Sequence, residues 1–183
     1  MSINLSKGQR VDVQLRRVNV GLGWEPPSNS QFEYDLDASA IMLDSRRKMP
    51  SERCFVFYNN QSSDDGSTTS SRDDRSGGSS GDSESISVDL TRVRPDVLEI
   101  LFVVTIHEAS QRRQSFGQVR NAFIRIVDAD SGSEMAKFLL DEDASTAMSL
   151  EFGRLYRRND QWRFEALGTG SSKDLGAVLA QYR

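Results

Sequence analysis

Cysteine and histidine are nearly missing from this chain: its 183 residues contain one of each, Cys54 and His107. A single cysteine excludes an intramolecular disulfide and favours a reducing compartment. With one thiol and one imidazole, metals that prefer sulfur and nitrogen lack a ligand set. Cys54 sits in the apolar run Cys54-Phe55-Val56-Phe57 and reads as a buried, inert thiol. His107, in Thr105-Ile106-His107-Glu108, reads as a hydrogen-bonded structural residue. Long hydrophobic runs are also absent. The longest, residues 100–106, falls far short of the roughly 20 residues a membrane-spanning helix needs. Residues 1–8 lack the charged-then-apolar pattern of a secretory signal, so the cytoplasm is the expected location. Neither G-x-x-x-x-G-K nor G-x-G-x-x-G occurs, which leaves nucleotide chemistry without support. Positive charge is not in excess either: the net charge is −4 and the pI about 5.1, so neither nucleic acid nor an anionic membrane is favoured as a partner.

What is present is unevenly placed. Six of the 27 acids and two of the 23 bases fall in residues 61–85, so the remainder balances at 21 of each. The formal excess therefore sits in one segment: Asp64, Asp65, Asp73, Asp74, Asp82 and Glu84 against Arg72 and Arg75. That segment has ten serines, four glycines and no apolar residue, a composition that by itself reads as disorder or a linker. The whole chain, 37% hydrophobic and 27% charged, suits one soluble domain spanning residues 1–183 with this loop at 61–85.

Periodicity points to sheet. Residues 9–15 alternate Val11, Val13 and Leu15 with polar partners, and residues 17–24 form a second apolar run whose glycines suggest a bulge or a close backbone approach. Strands are further expected over 34–43, 54–60, 85–90, 97–106, 121–127, 134–140, 149–157 and 161–167, the last two forming a hairpin about Arg158-Asn159-Asp160. The nearly continuous apolar run at 97–106 is the pattern of a central strand buried on both faces. Residues 174–182 carry Leu175, Val178 and Leu179 at helical spacing behind an Asp174 cap. About ten strands and a short C-terminal helix imply an all-β fold, an antiparallel β-sandwich.

On a strand over 34–43, Leu36, Ala38 and Ala40 take one face, and Asp35, Asp37 and Ser39 the other. Two carboxylates two residues apart repel unless protons or a cation intervene. A hard cation such as calcium takes about six to eight oxygens, and such a pair supplies two or more. Asn59 and Asn60, at the end of the next strand, add amide or backbone oxygens; Asp73, Asp74, Asp82 and Glu84 lie in the acidic segment. An EF-hand is excluded. From Asp35, Ala40 stands where glycine is needed and Arg46 where the bidentate glutamate belongs; from Asp64, that last position is Arg75. The competing readings are a merely solvated acidic face, and a carboxylate-pair hydrolase. The second is disfavoured because glycosidase acids flank the bond from separate supports. Arg112-Arg113, Arg120 and Arg157-Arg158 read as solvated loops.

Several segments together carry a resemblance. Val20-Gly21-Leu22-Gly23-Trp24, Asp35-Leu36-Asp37-Ala38-Ser39-Ala40, Phe55-Val56-Phe57-Tyr58-Asn59-Asn60, Val103-Val104-Thr105-Ile106-His107-Glu108-Ala109, Phe116-Gly117-Gln118-Val119-Arg120-Asn121, Glu142-Asp143-Ala144-Ser145 and Phe152-Gly153-Arg154-Leu155-Tyr156-Arg157 resemble, in order, the TerD family of bacterial tellurium-resistance and stress proteins. The resemblance implies a β-sandwich that binds calcium at one end, a stress-response role without enzymatic activity, and no nucleic-acid partner. It also leaves room for other stress proteins as partners and for peripheral membrane association. Alternatives it implies are a protein-interaction module or a small-ligand (cyclic nucleotide) binding module. Carried over position by position, the calcium ligands are Asp35, Asp37, Asn59, Asn60, Asp73, Asp82 and Glu84. The family's loop is richer in acid: Ser80 and Ser83 stand where it has aspartates, and Arg72 where it has glycine. Fewer charged ligands imply weaker calcium binding, or one ion fewer.

Overall fold

The structure, a computed structural model, describes residues 1–183 except positions 26, 28, 30, 32, 72–80 and 141–143. Among the described residues, twelve strands follow in chain order: β1 (Ile3–Leu5), β2 (Arg10–Val13), β3 (Arg17–Glu25), β4 (Leu36–Leu43), β5 (Phe55–Val56), β6 (Thr68–Ser70), β7 (Glu84–Asp89), β8 (Glu99–Ile106), β9 (Arg120–Asp128), β10 (Glu134–Leu139), β11 (Ser149–Arg158) and β12 (Gln161–Ser171). Two short helices, α1 (Ala109–Arg112) and α2 (Leu175–Ala180), complete the fold. The strands form two six-stranded sheets, ordered β1-β10-β9-β3-β7-β6 and β2-β12-β11-β8-β4-β5. Every pairing is antiparallel save β1 with β10, which run parallel. The expected all-β sandwich with a short C-terminal helix is therefore what forms, with two strands more than the sequence suggested.

The alternating residues explain the layers. Val18, Val20 and Leu22 of β3, Ile86 and Val88 of β7, and Ile124 and Ile126 of β9 pack from one sheet against Ala38, Ala40, Ile100, Phe102 and Val104 of the other. Strand β8 is buried along its whole length. Its even-numbered residues enter the core between the sheets, while Leu101 and Val103 join Ile41 and Leu43 beneath Val178, Leu179 and Tyr182. The C-terminal helix thus makes the apolar run at 97–106 a two-faced strand. Asp174 caps this helix, its Oδ1 accepting the Ala177 N–H at 2.8 Å.

Three expectations change. The strand predicted over 54–60 shrinks to the two residues of β5, because Phe57 and Asn60 exchange backbone hydrogen bonds of 3.0 Å and close a turn. Asn60 Nδ2 locks that turn by donating to the Phe55 carbonyl at 2.7 Å, and Phe57 stacks on Phe55 with ring centroids 4.3 Å apart. The first part of the acidic segment is structured, not linker-like. Ser63, Ser67 and Thr68 are buried, and β6 adds to the edge of β7. Asp65 organises it, accepting from Ser63 Oγ at 2.7 Å, Ser67 N–H at 2.9 Å and Arg94 N–H at 2.9 Å. Asp64 joins Ser51 Oγ at 2.7 Å and the Arg94 guanidinium at 2.9 Å. Finally, β1 was not expected at all.

Both glycine effects anticipated in β3 occur. The register against β9 shifts between Gly23 and Glu25, and a Cβ on Gly23 would stand 2.3 Å from the Phe123 ring. No described helix is long and apolar enough to cross a membrane.

Candidate functional site

One end of the sandwich gathers the entry of β4, the exit of β5, the entry of β7 and the exit of β8. Asp35 precedes β4, and its carbonyl accepts the His107 N–H at 2.8 Å, tying the entry of β4 to the exit of β8. Asp35 is exposed and Asp37 half-buried. As anticipated, Leu36, Ala38 and Ala40 turn inward. Ser39, opposite in parity, is buried at 2% exposure, so the polar face of β4 ends at Asp37, before α2 covers Ile41 and Leu43.

Asn59 and Asn60 form the turn that follows β5. Strand β5 meets β4 at Ile41 and Ala40 and stops there, so among the described residues no strand continues the ladder on that side at Ala38. The Glu84 carboxylate fills the gap: Oε2 accepts the Ala38 N–H at 2.5 Å. Since Glu84 opens β7 in the first sheet and Ala38 lies in β4 of the second, this bond bridges the sheets beside Asp37. It is a charge-assisted bond.

Asp82 goes elsewhere. Its carboxylate accepts from Arg125 Nε at 2.8 Å and Nη2 at 2.9 Å, a bidentate pair over Gly21 on the outer face of the first sheet. Arg125 also reaches Glu134 at 3.1 Å. The hydrogen bonds it donates to Asp82 outweigh desolvation and hold the guanidinium's pKa above its ordinary value. Asp73 and Asp74, Arg72 and Ser80 fall outside the described residues. Ser83 donates its N–H to the Leu22 carbonyl at 2.7 Å.

The oxygens of Asp35, Asp37, Asn59, Asn60 and Glu84 suit a hard cation and no soft one. Asp82 would reach such an ion only by leaving Arg125. Among the described residues, no three of His, Cys, Asp and Glu stand close enough together to hold a metal.

The other singled-out residues divide. Cys54 is free and buried, and burial raises its thiol pKa. The His107 side chain is 47% exposed and 3.7 Å from Glu108, beyond a hydrogen bond; its structural part is played by its backbone N–H, not its ring. Arg112 is not a free loop cation: it pairs with Glu108 at 2.8 Å and donates to the Glu33 carbonyl at 3.3 Å. Arg157 lies over the Trp162 ring, 4.8 Å from its centroid. The sequence reading missed the Asp82–Arg125 pair, whose partners stand 43 residues apart. The only local signal was Gly21, which makes room for it.

Two packed sheets and a short C-terminal helix define an all-β sandwich with an oxygen-rich end. The TerD domain family matches residues 1–182, and this chain belongs to that family. It is 48% identical to tellurium resistance protein TerD of Serratia marcescens, covering all of this chain and 97% of the relative. It is 39% identical to general stress protein 16U of Bacillus subtilis, again over all of this chain and 97% of the relative. The fold matches the crystal structure of a homologue of telluride resistance protein (TerD) from Streptomyces coelicolor A3(2). That match has a TM-score of 0.71 at 22% identity and covers 90% of this chain and 95% of the other.

Proposed function

We propose that this chain is a calcium-binding stress-response protein that acts by binding and performs no catalysis. The observation that carries the reading is the Glu84–Ala38 bridge at 2.5 Å, which sets a carboxylate from one sheet beside Asp37 on the strand that Asp35 leads into. Carboxylate oxygens from two separate strands are how a calcium site is assembled without a contiguous loop motif. In this reading Asp35, Asp37 and Glu84 supply charge, and Asn59 and Asn60 supply neutral oxygens. Asp73 enters from the family resemblance alone. Bound calcium would supply positive charge that offsets the crowding of these acids and draws the two sheets together at this end. The names of its relatives, tellurium resistance and general stress protein, support the stress-response part of the reading.

Calorimetric titration of calcium into metal-stripped protein tests it. Saturable heat is expected from the parent, and its loss from Asp35→Asn/Asp37→Asn at unchanged thermal stability in the metal-free state. Absence of heat from the parent, or equal heat from the variant, overturns the reading.

A further inference from the structure

A pocket of about 530 Å³ opens between the segment leading into β4 and the segment that joins β8 to β9; Tyr34, Arg112, Arg113, Gln114 and Gln118 are among its lining residues. Its size lies within the range of small-molecule sites, roughly 300–1,000 Å³. In a chain of net charge −4, the described residues of its lining include no carboxylate, and the charged side chains among them are the two arginines.

The wall is held in place. The Glu33 carbonyl accepts from Arg112 Nη1 at 3.3 Å and from Gln114 Nε2 at 3.2 Å, and Glu108 holds Arg112 from behind at 2.8 Å. Glu108 and Arg113 bracket the single turn of α1 with left-handed φ of 53° each, a conformation that costs a non-glycine residue about 1 kcal/mol or more. Gln118 Oε1 accepts from the Tyr34 hydroxyl and, at 3.4 Å, from the Ser115 N–H, which leaves its amide nitrogen to donate. Two groups remain unmatched among the described residues. The Arg113 guanidinium is exposed and has no acid or carbonyl partner. Gln114, 5% exposed, has no partner for Oε1. The amide orientation is fixed because Nε2 must face the Glu33 carbonyl, so the unmatched atom is an acceptor.

We infer that this pocket binds a small organic or phosphate-bearing anion. Arg113 takes the anionic group, by the bidentate geometry that carboxylates and phosphates share. Arg112 adds positive charge from a fixed position. The Gln118 amide nitrogen donates to the anion as well. None of the proposed calcium ligands is among its lining residues, although Tyr34 adjoins Asp35.

The test uses the full chain, stripped of metal and dialysed into a chelator-free, low-salt buffer, so that its outcome is independent of calcium. Inorganic phosphate, L-malate, succinate and the neutral succinamide are titrated as probes. Malate or phosphate is expected to bind saturably, the stronger of the two showing which anionic group the site prefers. Succinate binds as malate does, and the neutral succinamide does not bind. Arg113→Gln should weaken the preferred anion by roughly tenfold or more, as loss of a charge-assisted bond implies. Arg113→Lys keeps the charge without the fork and should fall between. Arg113→Gln leaves every described contact of the wall intact, so an unchanged unfolding temperature separates a lost ligand contact from a lost fold. Failure of both malate and phosphate to saturate at about 10 mM, where even millimolar affinity registers, overturns the inference. Succinamide binding as well as malate, or Arg113→Gln binding like the parent, overturns it too.

Discussion

The carboxylate of Asp82 lies against the backbone of Gly21, with Oδ2 2.4 Å from where a Cβ on that glycine would stand. The contact is fixed from the other side by the Arg125 fork at 2.8 and 2.9 Å. A strand glycine, a loop acid and an arginine of the next strand therefore form one unit that fastens the end of the acidic segment to the first sheet.

Gly21→Ala should break that unit. The methyl and the carboxylate cannot share the space, so Asp82 must give up Arg125 or β3 must shift; overpacking of this kind costs about 1–3 kcal/mol. In a double-mutant cycle, Gly21→Ala and Asp82→Ala together should destabilise by clearly less than their sum. Additive losses in denaturant titrations would show that the two residues do not share a contact that matters.

Glu84 separates charge from structure. Glu84→Gln keeps an oxygen to accept the Ala38 N–H, so stability should fall by less than about 1 kcal/mol. Calcium binding should nevertheless weaken, because one negative ligand is lost. Glu84→Ala should lose both. Equal calcium affinity in Glu84→Gln and parent, read by calorimetry, would remove Glu84 from the ligand set.

Acid sensitivity should trace to the outer face of the second sheet. Glu99 and Glu165, each 6% exposed, alternate with Arg47, Arg154 and Arg10 in a chain of ion pairs of 2.9, 3.2, 2.6 and 3.2 Å. Burial pushes the Glu165 carboxyl up, but the hydrogen bonds from Arg154 and Arg10 outweigh it, and its pKa lies below the ordinary 4.5. A depressed folded-state value means that the stabilisation is complete above about pH 4.5 and is lost as pH falls through the folded pKa. Glu165→Gln should therefore flatten the acid limb of a stability–pH curve. Arg154→Ala removes the arginine that the two buried carboxylates share but leaves Arg47 to Glu99 and Arg10 to Glu165, so it should cost roughly 1.5–3 kcal/mol at neutral pH.

The β11–β12 hairpin turns on Asn159 and Asp160, with φ of 51° and 60°. Both central residues are left-handed, as a type I′ turn requires. Asp160→Gly should relieve that strain and stabilise by about 0.5–1 kcal/mol, raising the melting temperature by roughly 1–4 °C. No change or a drop would mean that the aspartate makes a compensating contact.

Sequence periodicity determined much of this molecule. The two-residue alternation of Val18, Val20 and Leu22, the apolar run of β8, the Asn159-Asp160 turn and the Asp174 cap are each set by neighbours within a few residues, so each could be read from the chain. The inward alternation of Leu36, Ala38 and Ala40 in β4 was legible for the same reason. Tertiary structure decided what depends on distant partners. Strand β1 forms because β10 offers an open edge, not because Ile3-Asn4-Leu5 is strongly patterned. The polar residues of β6 become sheet because backbone hydrogen bonding to β7 is indifferent to side-chain composition. The two acids closing the acidic segment, Asp82 and Glu84, go to opposite tasks, one to Arg125 and the other to Ala38. Nothing within the segment distinguishes them; a cation on β9 and an unpaired N–H on β4 do. Residue type and spacing specify which groups can make strong electrostatic contacts, and only the packing of the two sheets brings each group its partner.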